Sequence, residues 1–347
     1  MTKSIKKPVS VSIIGGSGYT GAELIRLLSK HPYFNLFQVV ANRNVGKKIQ
    51  TVFPHLRHLD LPDFISFEEM NFEDVELIFC ALPHATSQEI IVKIPQGKKI
   101  IDLSADFRLD RLEEYESWYG KKHIAPALQE KAVYGLTEIY KKKIKEGSLI
   151  ACTGFISAAT LYPLIPLLSE GVINDTNLTI NLGAGVSGAG RDAKQNIIHS
   201  EVSEGVKPYN VGKHRHIAEL EQEFKKVTNN KIDITFIPHL LPQNRGVIVS
   251  IPISAPSTLV HKTLESYYNE APFMIVLPIE EIPATQHVRG SNFCHIGVVS
   301  DRSKERSVVI SVLDNLIKGS AGQAIQNANI MFDFDETTGL LESPIFP

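Results

Sequence analysis

The chain has 347 residues, of which 43% are hydrophobic and 21% are charged, and its formal net charge is −2. These values are typical of a soluble globular protein with one large domain or two ordinary ones. No long run of one charge sign occurs, which argues against a nucleic-acid or membrane-surface partner. No apolar run approaches the ~20 residues that a membrane span needs, and we expect a protein that does not bind membranes.

The three cysteines are scattered along the chain, at Cys80, Cys152 and Cys294. They lack the close spacing of zinc ligands and indicate reduced thiols in the cytoplasm, with Cys80 as a small core residue. The N-terminal stretch MTKSIKKP is basic, but a strand pattern follows it and no apolar signal core does. We therefore expect no secretion signal and a cytoplasmic location.

A β-branched run at Val9–Ile14 predicts a buried strand, and the glycine-rich stretch GGSGYTGAEL follows it directly. Its glycines fit the pattern G-x-G-x-x-G, and apolar residues then recur at helical spacing. Strand, glycine turn and helix together are the context of a dinucleotide site, in which the backbone approaches a pyrophosphate at the helix N-terminus. A merely tight turn is the alternative. The expected cofactor contacts are Gly16, Ser17, Gly18, Tyr19, Thr20 and Gly21.

The second predicted strand, Leu36–Ala41, ends without the acidic residue that usually binds a ribose 2′-hydroxyl. Instead, Asn42, Arg43 and Asn44 follow, and then Lys47 with Lys48. Cationic side chains at this point suit a 2′-phosphate, so that Arg43 and Lys47 favour NADP over NAD. A solvated basic loop is the alternative interpretation.

Three more buried strands are predicted at Val75–Leu82, Lys99–Leu103 and Ser148–Cys152, with helical stretches between them. This alternation predicts an α/β fold with a doubly wound parallel sheet of Rossmann type. Ligands bind beyond the carboxyl ends of such strands. We therefore expect one crevice to be surrounded by His84, Asp106, Arg108 and the segment Cys152–Phe155.

The second half begins with an apolar helix at Ala158–Leu168, which we expect Pro163 and Pro166 to kink or end. After a strand at Asn177–Leu182 comes a second glycine-rich loop, GAGVSGAGR. It offers hydroxyl, backbone N–H and guanidinium groups to phosphate oxygens, unless it is simply a flexible surface loop. The candidate substrate contacts are Ser187, Gly188 and Arg191.

Tyr209 and the triplet His214-Arg215-His216 follow this loop. Histidine titrates near neutral pH and suits general acid–base work. The alternative is a metal site that His239 would complete, but no carboxylate or cysteine spacing supports it, and we expect no metal. The later predicted elements are helices at Ala218–Lys226, Leu259–Asn269 and Lys318–Met331, strands at Lys231–Pro238, Arg245–Ile253 and Met274–Leu277, and a hairpin of Gly297–Asp301 with Ser307–Leu313.

Motifs along nearly the whole chain resemble the N-acetyl-gamma-glutamyl-phosphate reductase family. They are GGSGYTGAEL, CALPHATS, DLSADFRL, VYGLTE, GVSGAGRDA, GKHRHIAEL, FIPHLLPQNRG, RGSNFCHIGV and GQAIQNANIMFDFDETTGL. The resemblance implies a semialdehyde dehydrogenase-like fold, in which the Rossmann-type domain is followed by a second, α+β domain. It places the NADP-binding domain at residues 1–153 with the C-terminal segment 318–347, and the catalytic and oligomerisation domain at residues 154–317.

The same resemblance implies an NADPH-dependent reductase of arginine biosynthesis, acting on a small acyl phosphate and forming a homo-oligomer, either a dimer or a tetramer. Arg108, Arg191 and Tyr209 would contact the substrate. His216, or His214 as second choice, would handle the proton. His84 and Asn327 would face the cofactor, with Gln326 as a further candidate for the nicotinamide amide.

The resemblance also implies a cysteine nucleophile, because thiolate attack on the acyl phosphate precedes hydride transfer in this family. The family's segment reads approximately A-x-P-G-C-Y-P-T-A, whereas this chain has ACTGFISAA, which puts Phe155 at the nucleophile position. Three explanations stay open. Cys152 or Ser157 acts as the nucleophile in place of the family's cysteine. Alternatively, hydride transfer occurs without a covalent step. The third explanation is a catalytically impaired paralogue that keeps nucleotide binding or an interaction role.

Overall fold

The computed structural model describes residues 7–173 and 176–346. The first six residues of the basic N-terminal stretch, for which we expect no secretion signal, lie outside the described residues. None of the described helices is both long enough and apolar enough to cross a membrane.

The chain divides into two compact units. The first comprises the described residues up to Thr153 together with Ala321–Leu341, and the second comprises Gly154–Ser320 together with the tail from Glu342. The sequence analysis placed that tail with the first domain. The predicted division into a cofactor-binding and a catalytic domain is a statement about function and stays a prediction.

The strands and α-helices have the following bounds. The strands are β1 (Val9–Ile14), β2 (Phe34–Val40), β3 (Phe64–Ile65), β4 (Leu77–Cys80), β5 (Lys99–Asp102), β6 (Ala132–Gly135), β7 (Leu149–Cys152), β8 (Asn177–Gly185), β9 (Lys207–Pro208), β10 (Asp233–Leu241), β11 (Val247–Ile253), β12 (Met274–Val276), β13 (Cys294–Ser300) and β14 (Ser307–Leu313). The helices are α1 (Tyr19–Leu28), α2 (Ile49–Val52), α3 (Ser87–Ile91), α4 (Leu112–Tyr119), α5 (Pro126–Gln129), α6 (Thr137–Glu146), α7 (Phe155–Ser169), α8 (His199–Val202), α9 (His216–Val227), α10 (Ser257–Tyr268) and α11 (Gly322–Met331).

The first unit is built on a parallel sheet, as predicted. Within the described residues the sheet has seven strands in the order β3-β2-β1-β4-β5-β7-β6. Strands β4 and β7 are buried along their whole length, which explains their continuous apolar sequences. The strand order reverses between β1 and β4, and such a reversal marks the crevice where doubly wound sheets bind ligands.

The second unit contains a mixed sheet in the order β12-β13-β14-β11-β8-β10-β9, which confirms the predicted α+β domain. Strand β8 pairs with β10 in parallel and with β11 in antiparallel orientation. The predicted hairpin forms between β13 and β14. Along β11 every second residue is buried, because one face of the strand turns toward the core that α7 helps to cover.

Helix α7 corrects the expectation for the two prolines. It runs unbroken from Phe155 to Ser169, and both Pro163 and Pro166 lie inside it. Pro166 has no N–H to donate to the carbonyl of Tyr162, but that carbonyl accepts a hydrogen bond from the Tyr268 hydroxyl at 2.6 Å. A partner from another helix thus satisfies the acceptor, and the helix continues.

The C-terminal helix is also not the single helix predicted for Lys318–Met331. A π-helical turn covers Ile317–Ala321, and α11 begins only at Gly322. Lys318 in this turn is fully buried, with its ammonium group 5.3 Å from the ring centroid of Tyr162 and 5.5 Å from that of Phe273. These cation–π contacts give a buried charge a favourable environment that the local sequence does not reveal.

Candidate active site

The glycine turn after β1 combines close packing with open space. Side chains are excluded at Gly16, where a Cβ would collide with Val39, and at Gly21, where it would collide with the backbone of Gly16. Gly18 is different, because a Cβ there would have no atom within 4 Å. The two outer glycines therefore shape the turn, and the middle one leaves its backbone accessible.

Helix α1 begins directly after Gly18, and no side chain caps its N-terminus. Its ten residues align their peptide dipoles toward the turn, which favours an anionic group at this end. The turn residues Ser17, Tyr19 and Thr20 complete the predicted set. The open backbone and the uncapped helix fit the pyrophosphate of a dinucleotide.

Arg43 and Lys47 lie just beyond the end of β2, and both are exposed. The Lys47 ammonium group donates to Asn44 Oδ1 at 3.2 Å. Because β2 is the direct neighbour of β1 in the sheet, these cations lie at the strand end that binds the 2′ substituent of the ribose in such folds. Their arrangement is compatible with binding a 2′-phosphate.

The loops after β4 and β5 are joined by hydrogen bonds. The amide of Ala105 donates to Nδ1 of His84 at 2.9 Å, and the carboxylate of Asp106 accepts from the amide of Ala85 at 2.6 Å. The structure thus brings together His84 and Asp106, as the sequence predicted for this edge of the sheet.

Arg108 is nearly buried, with 4% of its surface exposed, and it contacts backbone carbonyls. Its Nε donates to the carbonyl of Cys152 at 2.8 Å and its Nη2 to that of Leu103 at 3.1 Å. These bonds join the ends of β5 and β7. The substrate-binding role expected for Arg108 stays a prediction, and its observed contacts are structural.

Cys152 and Ser157, the two alternatives to a cysteine nucleophile at position 155, are both buried. Cys152 is 1% exposed, and its thiol lies 3.7 Å from Gln323 Oε1, to which it donates. Ser157 is fully buried in the first turn of α7. Neither side chain is placed for attack on a substrate.

Phe155 is the first residue of α7 and is half-buried in the second unit. Its ring lies against Gly188, where an added Cβ would come within 2.7 Å of Cζ. On the backbone side, the Cβ of Phe155 lies against Gly319 of the π-helical turn. The residue at the predicted nucleophile position is therefore an apolar ring packed between two glycines.

The glycine-rich loop after β8 is held by an asparagine that the sequence analysis missed. Asn315 is 1% exposed, donates to Ser187 Oγ at 2.9 Å and accepts from the amide of Gly246 at 2.8 Å. Ser187 Oγ in turn donates to the carbonyl of Asn244 at 2.5 Å. Ser187 and Gly188 thus have a defined backbone conformation, whereas Arg191 lies exposed beyond them.

Tyr209, His214 and His216 lie close together. The ring of His214 makes edge contacts with Tyr209 at 5.6 Å and with His216 at 4.7 Å between centroids. Nδ1 of His214 accepts from the amide of His216 at 3.3 Å, and burial lowers the pKa of His214 to about 4. His214 is therefore neutral near pH 7, with its proton on Nε2.

His216 begins helix α9, and its Nε2 lies 3.8 Å from the carboxylate of Glu219, which is fully buried. The position of this carboxylate beside Nε2 favours one orientation of the ring. Burial also raises the pKa of Tyr209. Of the two histidines, His216 is the one whose ring nitrogen lies beside a buried carboxylate.

Asn327 and Gln326, the expected nicotinamide contacts, bond within the first unit. The amide of Asn327 accepts from Thr137 Oγ1 at 2.7 Å and donates to the carbonyl of Gly135 at 3.1 Å. Gln326 donates to Glu138 Oε1 at 3.0 Å. These bonds fix α11 against β6 and α6, and contact with a cofactor stays a prediction.

The three-histidine arrangement does not form. Nδ1 of His239 lies 3.3 Å from the carbonyl of Leu182. Across residues 7–173 and 176–346, no three side chains of His, Cys, Asp or Glu come together as a metal site would require.

Comparison with known families identifies the class. Residues 10–147 match the family described as "Semialdehyde dehydrogenase, NAD binding domain", and residues 156–315 match "Semialdehyde dehydrogenase, dimerisation domain". The fold and the nucleotide turn are therefore those of a semialdehyde dehydrogenase.

Curated relatives narrow the class to one family. The chain is 49% identical over 339 residues to the N-acetyl-gamma-glutamyl-phosphate reductase of Cereibacter sphaeroides, covering 97% of this chain and 99% of that protein. It is likewise 49% identical over 338 residues to the protein of that name from Ruegeria pomeroyi, with the same coverage. The chain belongs to the N-acetyl-gamma-glutamyl-phosphate reductase family.

Solved structures agree on the fold. Aspartate semialdehyde dehydrogenase II from Vibrio cholerae superposes with a TM-score of 0.71 at 16% identity, over 94% of this chain and 99% of that one. The aspartate semialdehyde dehydrogenase from Candida albicans, solved with NADP, gives 0.67 at 19% identity with the same coverage. At these identities the likeness concerns architecture alone.

Proposed function

We propose that this chain catalyses the NADPH-dependent reduction of N-acetylglutamyl 5-phosphate to N-acetylglutamate 5-semialdehyde and phosphate, a step of arginine biosynthesis. The observation that carries the proposal is the 49% identity over 97% of the chain with reductases of that name. The fold alone would admit other semialdehyde dehydrogenases, because a fold does not determine a substrate.

The first unit holds the cofactor in this proposal. The backbone at Gly16–Gly21 and the N-terminus of α1 bind the pyrophosphate, and Arg43 with Lys47 binds the 2′-phosphate. His84 and Asn327 face the nicotinamide end. Support comes from the open space above Gly18 and the uncapped helix.

The second unit binds the acyl phosphate. Ser187, Gly188 and Arg191 supply a hydroxyl, a backbone N–H and a guanidinium group for the phosphate oxygens. Tyr209 lies beside the histidine pair and contacts the substrate. We keep Arg108 as a substrate contact only in second place, because two backbone carbonyls already occupy its guanidinium group.

His216 handles the proton. NADPH, when bound, would supply a hydride to the acyl carbon. The bond from that carbon to the phosphate oxygen would break, and the phosphate would leave with the electron pair and take up one proton. His216 donates that proton to the oxygen that gains charge, and Glu219 orients the imidazole. His214 is the weaker candidate, since its lowered pKa of about 4 leaves no proton to donate from a charged ring at neutral pH.

The hydride reaches the acyl carbon without a covalent enzyme intermediate in this proposal. Phe155 cannot form one, and both Cys152 and Ser157 are buried. An acyl phosphate is already activated by its leaving group, so direct reduction needs only orientation and charge stabilisation from the protein. A homo-oligomer, dimer or tetramer, in the cytoplasm completes the proposal, supported by the match to a dimerisation domain.

The test is NADPH oxidation at 340 nm with N-acetylglutamyl 5-phosphate, together with the reverse reaction from the semialdehyde, phosphate and NADP. We expect turnover that survives the double substitution Cys152→Ala and Ser157→Ala. Loss of activity in that variant, while it remains folded, would identify a covalent route. Tight NADPH binding without any turnover in the unaltered chain would contradict the proposal and favour an impaired paralogue.

A further inference from the structure

The segment after β4 packs against the residues around the glycine turn. The amide of Ala81 donates to the carbonyl of Ile14 at 2.7 Å, and a Cβ on Gly15 would collide with the carbonyl of Ala81. The loop Pro83–Ser87, which follows directly, is therefore adjacent to the glycine turn at the point where the strand order reverses.

One residue in this loop has an unfavourable backbone conformation. Ala85 has φ 62°, in the left-handed region that residues other than glycine avoid. Such a conformation persists where surrounding contacts impose it, and it is concentrated at functional sites. The conformation of the loop is thus imposed by its partners.

Asp106 accepts hydrogen bonds from this loop with both of its carboxylate oxygens. Its Oδ1 accepts from the amide of Ala85 at 2.6 Å, and its Oδ2 accepts from the amides of Ser87 at 2.9 Å and Gln88 at 3.3 Å. The carboxylate is fully buried, and the Tyr115 hydroxyl donates to Oδ1 at 3.3 Å. Both oxygens of Asp106 are therefore engaged with the loop, one on each side of Thr86.

Ala105, the residue before Asp106, bonds to the side chain of His84 near the start of the same loop. Because the amide of Ala105 donates to Nδ1 of His84, the neutral ring carries its proton on Nε2. Ala105 and Asp106 together thus determine the path of the loop backbone and the tautomer of His84.

We propose that Asp106 is a positioning residue for NADPH binding: it holds Ala85 in the left-handed conformation and so sets the loop that borders the cofactor. The proposal rests on the proposed function insofar as NADPH is the cofactor. Asp106 is fully buried, and in this proposal its effect passes through the backbone of Pro83–Ser87.

The substitution Asp106→Asn tests this with little change in shape. The side chain of asparagine has only one accepting oxygen. In either orientation its NH2 group faces a backbone N–H of the loop, so that the bonds to Ala85 or those to Ser87 and Gln88 are lost. We expect the Kd for NADPH, measured by cofactor fluorescence, to rise roughly tenfold. We also expect faster hydrogen exchange at the amides of Ala85 and Ser87.

Asp102→Asn is the matched control. Asp102 is equally buried and also bonds to Ser87. Its Oδ1 accepts from the amide of Ser104 at 3.1 Å, outside the loop Pro83–Ser87, and its Oδ2 accepts from the hydroxyls of Ser87 and Ser104, at 2.9 and 2.6 Å. Hydroxyl groups can rotate to accept from an amide NH2. The Kd for NADPH should therefore stay within about twofold of the unaltered value.

Ala85→Gly in the Asp106→Asn background supplies the rescue. Glycine adopts positive φ without steric cost, so the loop needs less support from Asp106. We expect the double variant to bind NADPH more tightly than Asp106→Asn alone. A purely structural role would lower the melting temperature of Asp106→Asn without changing Kd, and glycine would restore nothing.

The outcomes separate this proposal from the proposed function. An unchanged Kd in folded Asp106→Asn, or equal losses in the Asp102 and Asp106 variants, overturns the positioning role while the reductase assignment stands. NADPH binding without turnover, with the expected loss in Asp106→Asn, overturns the catalytic proposal alone. An unaltered chain that does not bind NADPH overturns both.

Discussion

The ring of Phe155 lies against Gly188, and a methyl group on that glycine would come within 2.7 Å of the ring's Cζ atom. Gly188 belongs to the loop proposed to bind the substrate phosphate, and Phe155 is the first residue of a 15-residue helix. The N-terminus of a helix lowers the pKa of a thiol placed there. The second unit therefore provides the environment of a reactive thiolate at position 155, but the phenylalanine there has no thiol.

Phe155→Cys should add a covalent route. A cysteine at this helix N-terminus would be partly ionised near neutral pH, and the smaller side chain would leave space beside Gly188. We expect kcat for NADPH oxidation with the acyl phosphate to rise roughly tenfold or more, which corresponds to ~1.4 kcal/mol of the activation free energy. The gain should disappear on alkylation with iodoacetamide.

Phe155→Ala controls for the space that the ring vacates. It opens the same volume without supplying a nucleophile, so its kcat should stay near that of the unaltered chain. An equal gain in kcat for Phe155→Ala and Phe155→Cys would show that the phenylalanine ring lowers the rate by filling space, and that the thiol contributes nothing.

The histidine pair should respond unequally to substitution. His216→Asn should lower kcat by a factor of about 10² or more, because it removes the proposed acid. His214→Asn should lower it much less, because burial already keeps the pKa of His214 at about 4 and the ring neutral. Steady-state rates of both variants between pH 6 and 9 decide the assignment, and a larger loss in His214→Asn would reverse it.

The two cations after β2 should determine the cofactor preference. Replacing Arg43 and Lys47 by alanine removes two positive charges that we propose contact the 2′-phosphate. The Kd for NADPH should rise roughly tenfold or more while that for NADH changes little, since only the former carries the phosphate. Parallel titrations of both cofactors measure this ratio, and equal losses would mean that these residues act on the fold.

Much of the first unit could be predicted from sequence for a physical reason. Strands buried on both faces of a parallel sheet are apolar along their whole length, as in the segments LIFC of β4 and LIAC of β7. The glycine turn was equally visible, because only glycine fits at Gly16 and Gly21. Short edge strands such as β3, with two residues, carry no such signal.

The features that were missed depend on partners far away in the sequence. Asn315 meets a serine 128 residues earlier, and although Asp106 was expected at this edge of the sheet, its bond to an amide 21 residues earlier was not. No periodicity encodes such pairs. In the same way, Lys318 in the π-helical turn contacts the rings of Tyr162 and Phe273, which lie far from it in the sequence.

The hydroxyl of Tyr268 should stabilise the folded protein, because Pro166 leaves the Tyr162 carbonyl without its usual helical donor. Tyr268→Phe leaves the buried carbonyl of Tyr162 without the bond that compensates for the missing N–H of the proline. We expect a loss of about 1–3 kcal/mol in the free energy of unfolding, measured with urea.

A double-mutant cycle with Pro166→Ala checks the cause. Alanine restores an N–H that can donate to the Tyr162 carbonyl, so Tyr268→Phe should cost less in this background. If the cost of Tyr268→Phe is the same with either residue at position 166, the hydroxyl stabilises the protein by another contact.

Asp102 should make stability depend on pH in a specific direction. Burial, the largest cause, raises the pKa of this carboxyl from 3.8 to about 6, and the neighbouring Asp106 adds to the effect. The folded state therefore binds the proton more tightly than the unfolded state does. The stabilising contribution is complete below about pH 4 and is lost as the pH rises through 6, by up to roughly 3 kcal/mol.

Asp102→Asn isolates this contribution, because its side chain does not titrate. We expect urea unfolding to show that the variant gains stability relative to the unaltered chain between about pH 4.5 and 7.5. His31 and His214, whose pKa values burial lowers to about 4, change stability in the opposite direction with pH, but equally in both proteins. Their contribution cancels in the difference, so a difference that stays constant across this pH range would mean that Asp102 has an ordinary pKa in the folded protein.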